Sequence, residues 1–471
     1  MDGLLTSSAS ELAARILRRE LSSIEVVEAH IRRIEAVNPG LNAVVCTRFQ
    51  EARGEARTAD EALARGDAGL GPLHGVPCSI KECFALTGMP NTAGLVARKG
   101  RLATRDAFAV ARLREAGAIP LGVTNTSELC MWMESNNKVY GRTNNPYDAK
   151  RIVGGSSGGE GAIIGAGGAP FGLGSDIGGS IRMPAFFNGV FGHKPTGGLV
   201  SNEGQFPLPA AAALTYVTTG PLARRAEDLA PLLKIMAGAE AATRIGDPAA
   251  VDLAALEIVV VEGDGRIRVS DDLLQAQRAA ADALRERGAK VRTAKVKGFE
   301  KALEIWSSML DAAGGPSYAS LLGDGPEVLG GRELWRWARG RSPYTLPSLC
   351  LVLLEKLPKL LPLHGRRFVE AGAALRREVV DLLGPRGVML YPPYPTPAPL
   401  HNRPLWPPFN WVYTAVFNVI ELPVTAAPLG LNAGGIPLGV QIAATHGNDH
   451  LTIAVALELE RAFGGWVPPP T

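Results

Sequence analysis

The sequence predicts an α/β protein built on a large mixed sheet. Segments with the apolar pattern of β-strands alternate along the chain with amphipathic helical segments, which is typical of such sheets rather than of barrels made of hairpins. The chain of 471 residues is 46% hydrophobic, which is enough for a large core. Because no internal repeat and no long low-complexity linker divides it, we expect one domain over residues 1–471.

The N-terminal part begins with two predicted helices within residues 8–37. Ser8 and Ser22 each stand three residues before a glutamate, which is the spacing of a capping box, and aliphatic residues then recur at helical intervals. The run Asn38-Pro39-Gly40 is expected to end the second helix. The next predicted elements are a helix at about 48–65, a strand at 76–81, a helix at 106–117 and a strand at 119–123.

The C-terminal half continues this alternation. The patterns predict helices at 221–237 and 271–287, strands at 256–262, 290–293, 424–428 and 438–443, and a proline-rich loop at 391–408.

Residues 343–363 are strongly apolar but include Glu355, Lys356 and Lys359, with prolines as breaks. Two structures fit this pattern. One is a buried helix pair of the core, and the other is a cap whose apolar face lies in a bilayer surface without crossing it.

The composition excludes several classes of function. The net charge is only +3 and no basic block occurs, so nucleic acid is not an expected partner. The five cysteines are odd in number and lack paired metal-binding spacing, which indicates reduced thiols. Because there is neither a signal-like N-terminus nor an uncharged apolar run of membrane-spanning length, we expect a cytoplasmic protein.

Two clusters rich in glycine and serine, residues 154–161 and 174–184, are the most distinctive part of the sequence. An acyl-transfer site needs a nucleophile, a base that takes its proton, and donors for the oxyanion. Ser180 follows a glycine turn whose backbone N–H groups could point to one spot, which suggests the nucleophile. The predicted oxyanion donors are the backbone N–H groups of Ile177, Gly178, Gly179 and Ser180.

The residues around this turn suggest how it is held and which base it uses. Asp176 and Arg182 lie on either side of it and fit an ion pair that fixes its shape. No Gly-x-Ser-x-Gly elbow is present, and none of the seven histidines has an obvious partner motif. Since Ser–Lys variants of the serine triad exist, Lys81 at the end of an apolar strand is a candidate base.

Four segments in this order make the chain resemble the amidase-signature enzymes. They are residues 80–82 (IKE), 154–159 (GGSSGG), 174–184 and 192–196 (GHKPT). The resemblance covers nearly the whole chain. It implies the amidase-signature fold, in which helices on both faces cover a large, mixed, mostly parallel, twisted sheet.

The same resemblance implies a Ser-Ser-Lys triad. Ser180 would attack the carbonyl group and form the acyl-enzyme, Ser156 would relay its proton, and Lys81 would be the base. The relay serine would follow a cis Gly155–Ser156 peptide bond, with Ser157 as a supporting hydrogen-bond partner. No metal ion and no cofactor is expected.

Within this family the chain most resembles the fatty-acid amide hydrolases, in particular their second vertebrate form. The residues that carry this resemblance are 127–132, 140–147, 182–195, 430–433, 448–452 and 463–467. It implies cleavage of long-chain fatty acid amides, of the N-acylethanolamine or primary amide type, to fatty acid and amine. Cys130 and Met131 would then line the acyl channel or pack in the core, and Trp411 and Ala415 on a facing helix are further substrate-binding candidates.

The resemblance also favours the membrane-surface cap for residues 343–363. These enzymes often begin with a hydrophobic segment, and the sequence here begins with none, so we expect transient surface contact rather than stable anchoring. The expected partners are therefore a lipid amide substrate, a membrane surface and a second copy of the chain in a homodimer.

Two alternatives remain open. One is another amidase-signature enzyme that acts on small or aryl amides, on N-acyl amino acids, or as the glutaminase subunit of a transfer-RNA amidotransferase. That subunit usually has glutamine where this chain has Met183. The other is a non-catalytic binding protein, against which the presence of Lys81, Ser156 and Ser180 argues.

Overall fold

A mixed sheet organises the fold in the computed structural model, which describes residues 3–208, 210–355 and 365–470. The strands in these ranges are β1 (Val44–Thr47), β2 (Pro77–Lys81), β3 (Ile119–Thr124), β4 (Asn136–Asn137), β5 (Gly141–Arg142), β6 (Phe171–Asp176), β7 (Phe191–Lys194), β8 (Thr218–Ala223), β9 (Glu257–Val260), β10 (Lys290–Thr293), β11 (Gly387–Tyr391), β12 (Val424–Leu431) and β13 (Pro437–Ala444). The α-helices there are α1 (Ala9–Leu17), α2 (Ser23–Leu41), α3 (Phe49–Arg65), α4 (Phe108–Glu115), α5 (Gly158–Gly165), α6 (Arg182–Phe187), α7 (Leu229–Ala242), α8 (Asp271–Glu286), α9 (Ala302–Ala312), α10 (Tyr318–Leu322), α11 (Gly330–Trp337), α12 (Leu346–Leu354), α13 (Gly365–Leu383), α14 (Val412–Val419) and α15 (Asp449–Phe463).

Eleven of the described strands form one sheet, in the order β1-β3-β2-β6-β8-β7-β12-β13-β11-β9-β10. The prediction of a large mixed sheet is therefore confirmed. Parallel pairing, expected for most of the sheet, occurs in the groups β3-β2-β6 and β11-β9-β10. Within this sheet of described strands, four neighbouring pairs are parallel and six antiparallel, and the antiparallel pairs include the whole centre of the sheet.

Helices cover both faces of the sheet, as the resemblance implies. Successive side chains of a strand point to opposite faces, so Ile258 and Val260 of β9 belong to one apolar cluster, and Val259 belongs to another. The first cluster includes residues of α4, α7 and α15, and the second includes residues of α9, α13 and α14.

The two N-terminal helices are confirmed, with one difference at the end of α2. Ser22 and Glu25 form the predicted capping box. The helix does not stop at Asn38-Pro39-Gly40 but continues to Leu41, because the Asn42 N–H donates to Asn38 O at 2.7 Å and closes the last turn. Asn42 then takes the left-handed conformation, with φ of 52°.

In the C-terminal half, one predicted boundary is wrong and one strand was not predicted. The predicted helix at 221–237 begins only at Leu229, since residues 218–223 form β8 and pair with β6 and β7. The strand β11 precedes the proline-rich loop without having been predicted from the pattern. It lies between β9 and β13, where neighbouring strands satisfy its backbone groups.

The apolar stretch 343–363 is described only as far as residue 355. Leu349 and Val352 of α12 are buried in a small apolar cluster, whereas Leu353 and Leu354 are exposed. Residues 356–363, with Lys356 and Lys359, lie outside the described part of the chain. None of the helices described is both long enough and apolar enough to cross a membrane.

Candidate active site

The strand β2 carries Lys81 to the centre of the site. It lies between β3 and β6, runs parallel to both, and ends with the fully buried Lys81 side chain. Lys81 Nζ donates hydrogen bonds to Ser156 Oγ at 2.7 Å and to Ser175 Oγ at 3.0 Å. The predicted base therefore contacts a serine from each of the two glycine- and serine-rich clusters.

Ser156 and Ser157 lie where the chain enters α5. The Gly155–Ser156 peptide bond is cis, as the resemblance implies. The Ser157 N–H donates to Ser180 O at 3.2 Å, and the Ser175 N–H donates to Ser157 Oγ at 3.4 Å. Ser157 thus joins the two clusters through backbone groups, which is a supporting position rather than a contact with Lys81.

The turn before Ser180 is held from the side of α14. Gly179 has φ of +114°, and a Cβ built on it would lie 2.0 Å from Thr414 Oγ1, so both its conformation and its surroundings require glycine. Thr414 Oγ1 also donates to Gly178 O at 2.7 Å, and Trp306 Nε1 donates to Ile177 O at 2.9 Å. These bonds fix the orientation of successive peptide groups.

One of the four predicted oxyanion donors is occupied in this structure. The Gly179 N–H donates to Asp176 Oδ1 at 2.7 Å, so it serves to hold the turn. The N–H groups of Ile177, Gly178 and Ser180 have no hydrogen-bond partner within residues 3–208, 210–355 and 365–470. These three amides stay the predicted oxyanion donors.

Asp176 and Arg182 form a fully buried ion pair, with Arg182 Nη2 2.9 Å from Asp176 Oδ1. The other partners of the Arg182 guanidinium are Thr414 O, Gln441 Oε1 and Asn418 Oδ1. Burial alone would raise the pKa of Asp176, but the charge and hydrogen bonds of Arg182 outweigh it and hold this pKa well below its usual range. The carboxylate is therefore ionised, and it holds the turn before Ser180 in place.

Sequence reasoning gave no role to three polar residues that surround Lys81. Ser175 accepts a hydrogen bond from Lys81 Nζ, although its position between Gly174 and Asp176 in the second cluster gave no sign of this contact. Glu160 accepts hydrogen bonds from Ser79 Oγ and Thr124 Oγ1, and burial raises its pKa to about 7. The only signal for Glu160 was a charged residue inside a run of glycines.

Glu82 is the third of these residues and follows Lys81 directly. Its carboxylate accepts hydrogen bonds from the N–H groups of Thr92 and Ala93 and from Tyr140 Oη. Burial raises its pKa to about 7, an effect that these hydrogen bonds oppose. Glu82 therefore anchors the segment around residue 92 beside the base.

Two cavities meet at Ser180. They share Cys130, Met131, Ile177 and Ser180. The larger cavity is also lined by Ser156, Ser175 and Gln205, and the smaller one by Trp411, Trp306 and Met183.

The predicted substrate-binding residues are only partly brought together. Cys130 and Met131 line both cavities, and Trp411 lines the smaller one. Ala415 lines neither cavity: it is fully buried in α14, next to Gly178, and its contact with a substrate stays a prediction.

Cys130, which lines both cavities, has a thiol with a shifted pKa. The neighbouring Cys83 thiol is the largest cause that lowers the pKa of the Cys130 thiol, and it outweighs the opposing effect of burial. No group of histidine, cysteine, aspartate and glutamate side chains suited to a metal ion occurs in the described ranges.

Known proteins with similar sequences and structures identify the family. Residues 25–453 match the family described as Amidase. Fatty-acid amide hydrolase 2 of Homo sapiens is 48% identical over 483 residues, which cover 99% of this chain and 91% of that protein. Fatty-acid amide hydrolase 2-B of Danio rerio is 48% identical over 486 residues, with the same two coverages of 99% and 91%.

Among solved structures, the crystal structure of an amidase superposes with a TM-score of 0.80 at 28% identity. The superposition covers 97% of this chain and 100% of that one. The predicted resemblance and fold are thus confirmed: the chain belongs to the Amidase family, the amidase-signature enzymes, and is an enzyme that hydrolyses amides.

Proposed function

We propose that this amidase cleaves long-chain fatty acid amides, of the N-acylethanolamine or primary amide type, to fatty acid and amine through an acyl-enzyme on Ser180. The observation that carries the proposal is the 2.7 Å hydrogen bond from Lys81 Nζ to Ser156 Oγ, beside a turn where two cavities meet at Ser180. The relatives named fatty-acid amide hydrolase 2 support the acyl specificity.

In this mechanism Lys81 is the base. Its neutral amine takes the proton of Ser156, Ser156 takes the proton of Ser180, and Ser180 Oγ bonds to the carbonyl carbon while an electron pair moves to the carbonyl oxygen. The amides of Ile177, Gly178 and Ser180 hold this oxyanion, and each such donor typically contributes about 10²–10³ in rate. As the carbonyl re-forms, the carbon–nitrogen bond breaks, Ser156 gives a proton to the amine and Lys81 returns its proton to Ser156. Water then attacks the acyl-enzyme by the same route and releases the fatty acid.

Each of the two cavities takes one part of the substrate. Ser156 protonates the leaving amine and lines only the larger cavity, so the amine occupies that side. The smaller cavity is then left for the acyl chain, and apart from Ser180 its walls are apolar side chains and glycines. The residues of those walls are Cys130, Met131, Trp132, Met133, Gly155, Ile177, Gly178, Met183, Trp306, Leu351 and Trp411.

A substrate panel tests this function. Oleamide, an N-acylethanolamine, an N-acyl amino acid, glutamine and a short aryl amide are compared by kcat/KM. We expect the two long-chain amides to lead, and a preference for glutamine or the aryl amide contradicts the proposal. Ser180→Ala should abolish both hydrolysis and labelling by an alkyl fluorophosphonate, whereas Lys81→Ala should slow acylation most at neutral pH.

The size of the cavities favours a second candidate, an amidase for small or aryl amides. The two volumes are about 230 and 100 Å³, which accommodate a short amide without rearrangement. The same panel distinguishes the candidates, because this enzyme would hydrolyse the short aryl amide faster than oleamide.

We further propose that the enzyme is cytoplasmic and contacts a membrane surface transiently through residues 343–363 and the neighbouring helix α11. Leu351 of α12 lines the smaller cavity, while Leu353 and Leu354 on the same helix are exposed. One helix would then connect an apolar surface with the acyl side of the site. The helix α11 contributes Trp335, which is 58% exposed, and Trp337, with arginines around them.

Vesicle binding tests the surface. The double variant Trp335→Ala and Trp337→Ala should co-sediment several-fold less with vesicles of phosphatidylcholine and phosphatidylserine than the unchanged enzyme. Leu102→Ala is the matched control, since Leu102 is 59% exposed and belongs to a different part of the chain. Equal binding of the double variant and the control would remove α11 from the proposed surface.

A further inference from the structure

Gln205 is a buried polar side chain that the mechanism above does not use. It is 8% exposed and lines the larger cavity together with Ser156, Ser175 and Ser180. Its carbonyl oxygen Oε1 is buried and has no hydrogen-bond partner among the residues that the structure describes. Buried amide oxygens are nearly always paired in folded proteins, and because Gln205 is a residue of the cavity wall, its unpaired oxygen points to a ligand.

The backbone holds Gln205 in a fixed position relative to the base. Gln205 forms an antiparallel bridge with Phe84, and the Phe206 N–H donates to Cys83 O at 2.8 Å. The segment 83–84 follows Lys81 after a single residue, so the position of Gln205 along the cavity is set by the same chain segment that positions Lys81.

Gln205 offers a substrate a polar group that the rest of this wall does not provide. Of the other described residues lining the larger cavity, the serines belong to the triad and its support, and Tyr318 Oη already donates to Ser348 Oγ at 3.1 Å. The remaining lining residues are apolar side chains and glycines, namely Leu129, Cys130, Met131, Ile177, Pro207, Leu208, Ala210, Val217, Leu310, Gly314, Gly315, Pro316 and Leu321.

We propose that Gln205 determines specificity on the amine side of the substrate, with its Oε1 accepting a hydrogen bond from an N–H or O–H group of the leaving amine portion. This rests on the proposed function in one respect, since the amine is assigned to the larger cavity through Ser156. The enzyme then favours amides whose amine portion carries such a donor over esters of the same acid.

Three substrates with one acyl group test this assignment. They are the N-(2-hydroxyethyl) amide, the N-propyl amide and the methyl ester, and the acyl group is whichever the enzyme hydrolyses best. Gln205→Leu should lower kcat/KM for the hydroxyethyl amide about tenfold, as expected for loss of one hydrogen bond in a buried site. The methyl ester should change by less than about twofold, because it has no donor.

The N-propyl amide identifies the donor. A comparable loss on this substrate assigns the bond to the amide N–H, and an unchanged rate assigns it to the hydroxyl group, so either result supports the proposal. Equal losses on all three substrates, or no loss on any, overturn it. Because the leaving group varies while the acyl group is constant, a failed preference for long acyl chains leaves this test intact.

Two controls separate recognition from folding. An alkyl fluorophosphonate reacts with Ser180 without an amine portion, so its rate of labelling should be the same in Gln205→Leu and the unchanged enzyme. If the leucine variant is not labelled, Gln205→Met, which keeps the length of the side chain, replaces it. Gln277→Leu changes another buried glutamine with an unpaired Oε1, in α8 and away from both cavities, and should leave the amide-to-ester ratio unchanged.

Discussion

The substitution Asp176→Asn tests whether the buried carboxylate that holds the turn before Ser180 controls the rate of hydrolysis. Asp176 accepts hydrogen bonds from the N–H groups of Gly179 at 2.7 Å and Ile181 at 3.1 Å, and from Arg182 Nη2 at 2.9 Å. Asparagine has nearly the same shape, but it is neutral and one of its terminal atoms is a donor. That donor must face another donor, and Arg182 loses the carboxylate with which it pairs.

The expected magnitude follows from this geometry. Removing one partner of a buried ion pair typically costs about 3–5 kcal/mol, because the other charge stays buried. We therefore expect the free energy of unfolding to fall by about 4 kcal/mol. If the turn shifts so that a single oxyanion donor is lost, kcat should fall by about 10²–10³, with little change in KM.

The assay combines kcat, the rate of fluorophosphonate labelling and urea unfolding. Asp228→Asn is the matched control, since Asp228 is also buried but caps α1 through the N–H groups of Ala9 and Ser10. It should lower stability and leave kcat within about twofold. A kcat for Asp176→Asn within tenfold of the unchanged enzyme, or an equal loss in Asp228→Asn, would refute the reasoning.

Three further predictions concern the residues around Lys81. Burial raises the pKa of Glu160 to about 7, above its ordinary value of 4.5, so the folded protein binds this proton more tightly and stability falls as pH rises between these values. Glu160→Gln should flatten that fall in urea unfolding at a series of pH values, and an unchanged slope would contradict it. Iodoacetamide near pH 7 should modify Cys130 before Cys46 and Cys350, because the pKa of the Cys130 thiol is lowered and burial raises the pKa of the other two thiols. Peptide mass spectrometry gives the order of modification. Faster modification of Cys46 or Cys350 would count against a Cys130 thiolate. Ser156→Ala should lower kcat far more than Ser157→Ala, because only Ser156 contacts Lys81, and similar losses in both variants would place the relay elsewhere.

The candidate site shows what a sequence can and cannot predict. Glycine at position 179 and the serines of both clusters are visible as residues, and the resemblance relates them to Lys81, which is 75 residues from Ser156. The contact of Ser175 with Lys81 was not predicted, because it depends on the register of β6 beside β2. Likewise, the hydrogen bond from Gly179 to Asp176 depends on the orientation of one peptide plane.

The errors in the fold have the same origin. Residues 218–223, with the sequence TTGPLA, have a weak strand pattern, and Pro221 argues against a central strand. They form β8 because β6 and β7 lie on either side and provide hydrogen-bond partners. The extension of α2 past Pro39 depends on the hydrogen bond from the Asn42 N–H to Asn38 O, which no local sequence pattern predicts. The single domain and the homodimer stay predictions.

The parallel pairing of β2 with β6 has a consequence for how such an enzyme can change. Lys81 Nζ meets Ser175 through the register of these strands, so this contact does not depend on the length of the loops that connect them. A deletion of one residue inside β2 would instead turn Lys81 toward the opposite face, where Ile80 packs in an apolar cluster. Insertions in this lineage should therefore accumulate in the loops that shape the two cavities, and new substrate ranges can arise there while the strand that carries the base keeps its length.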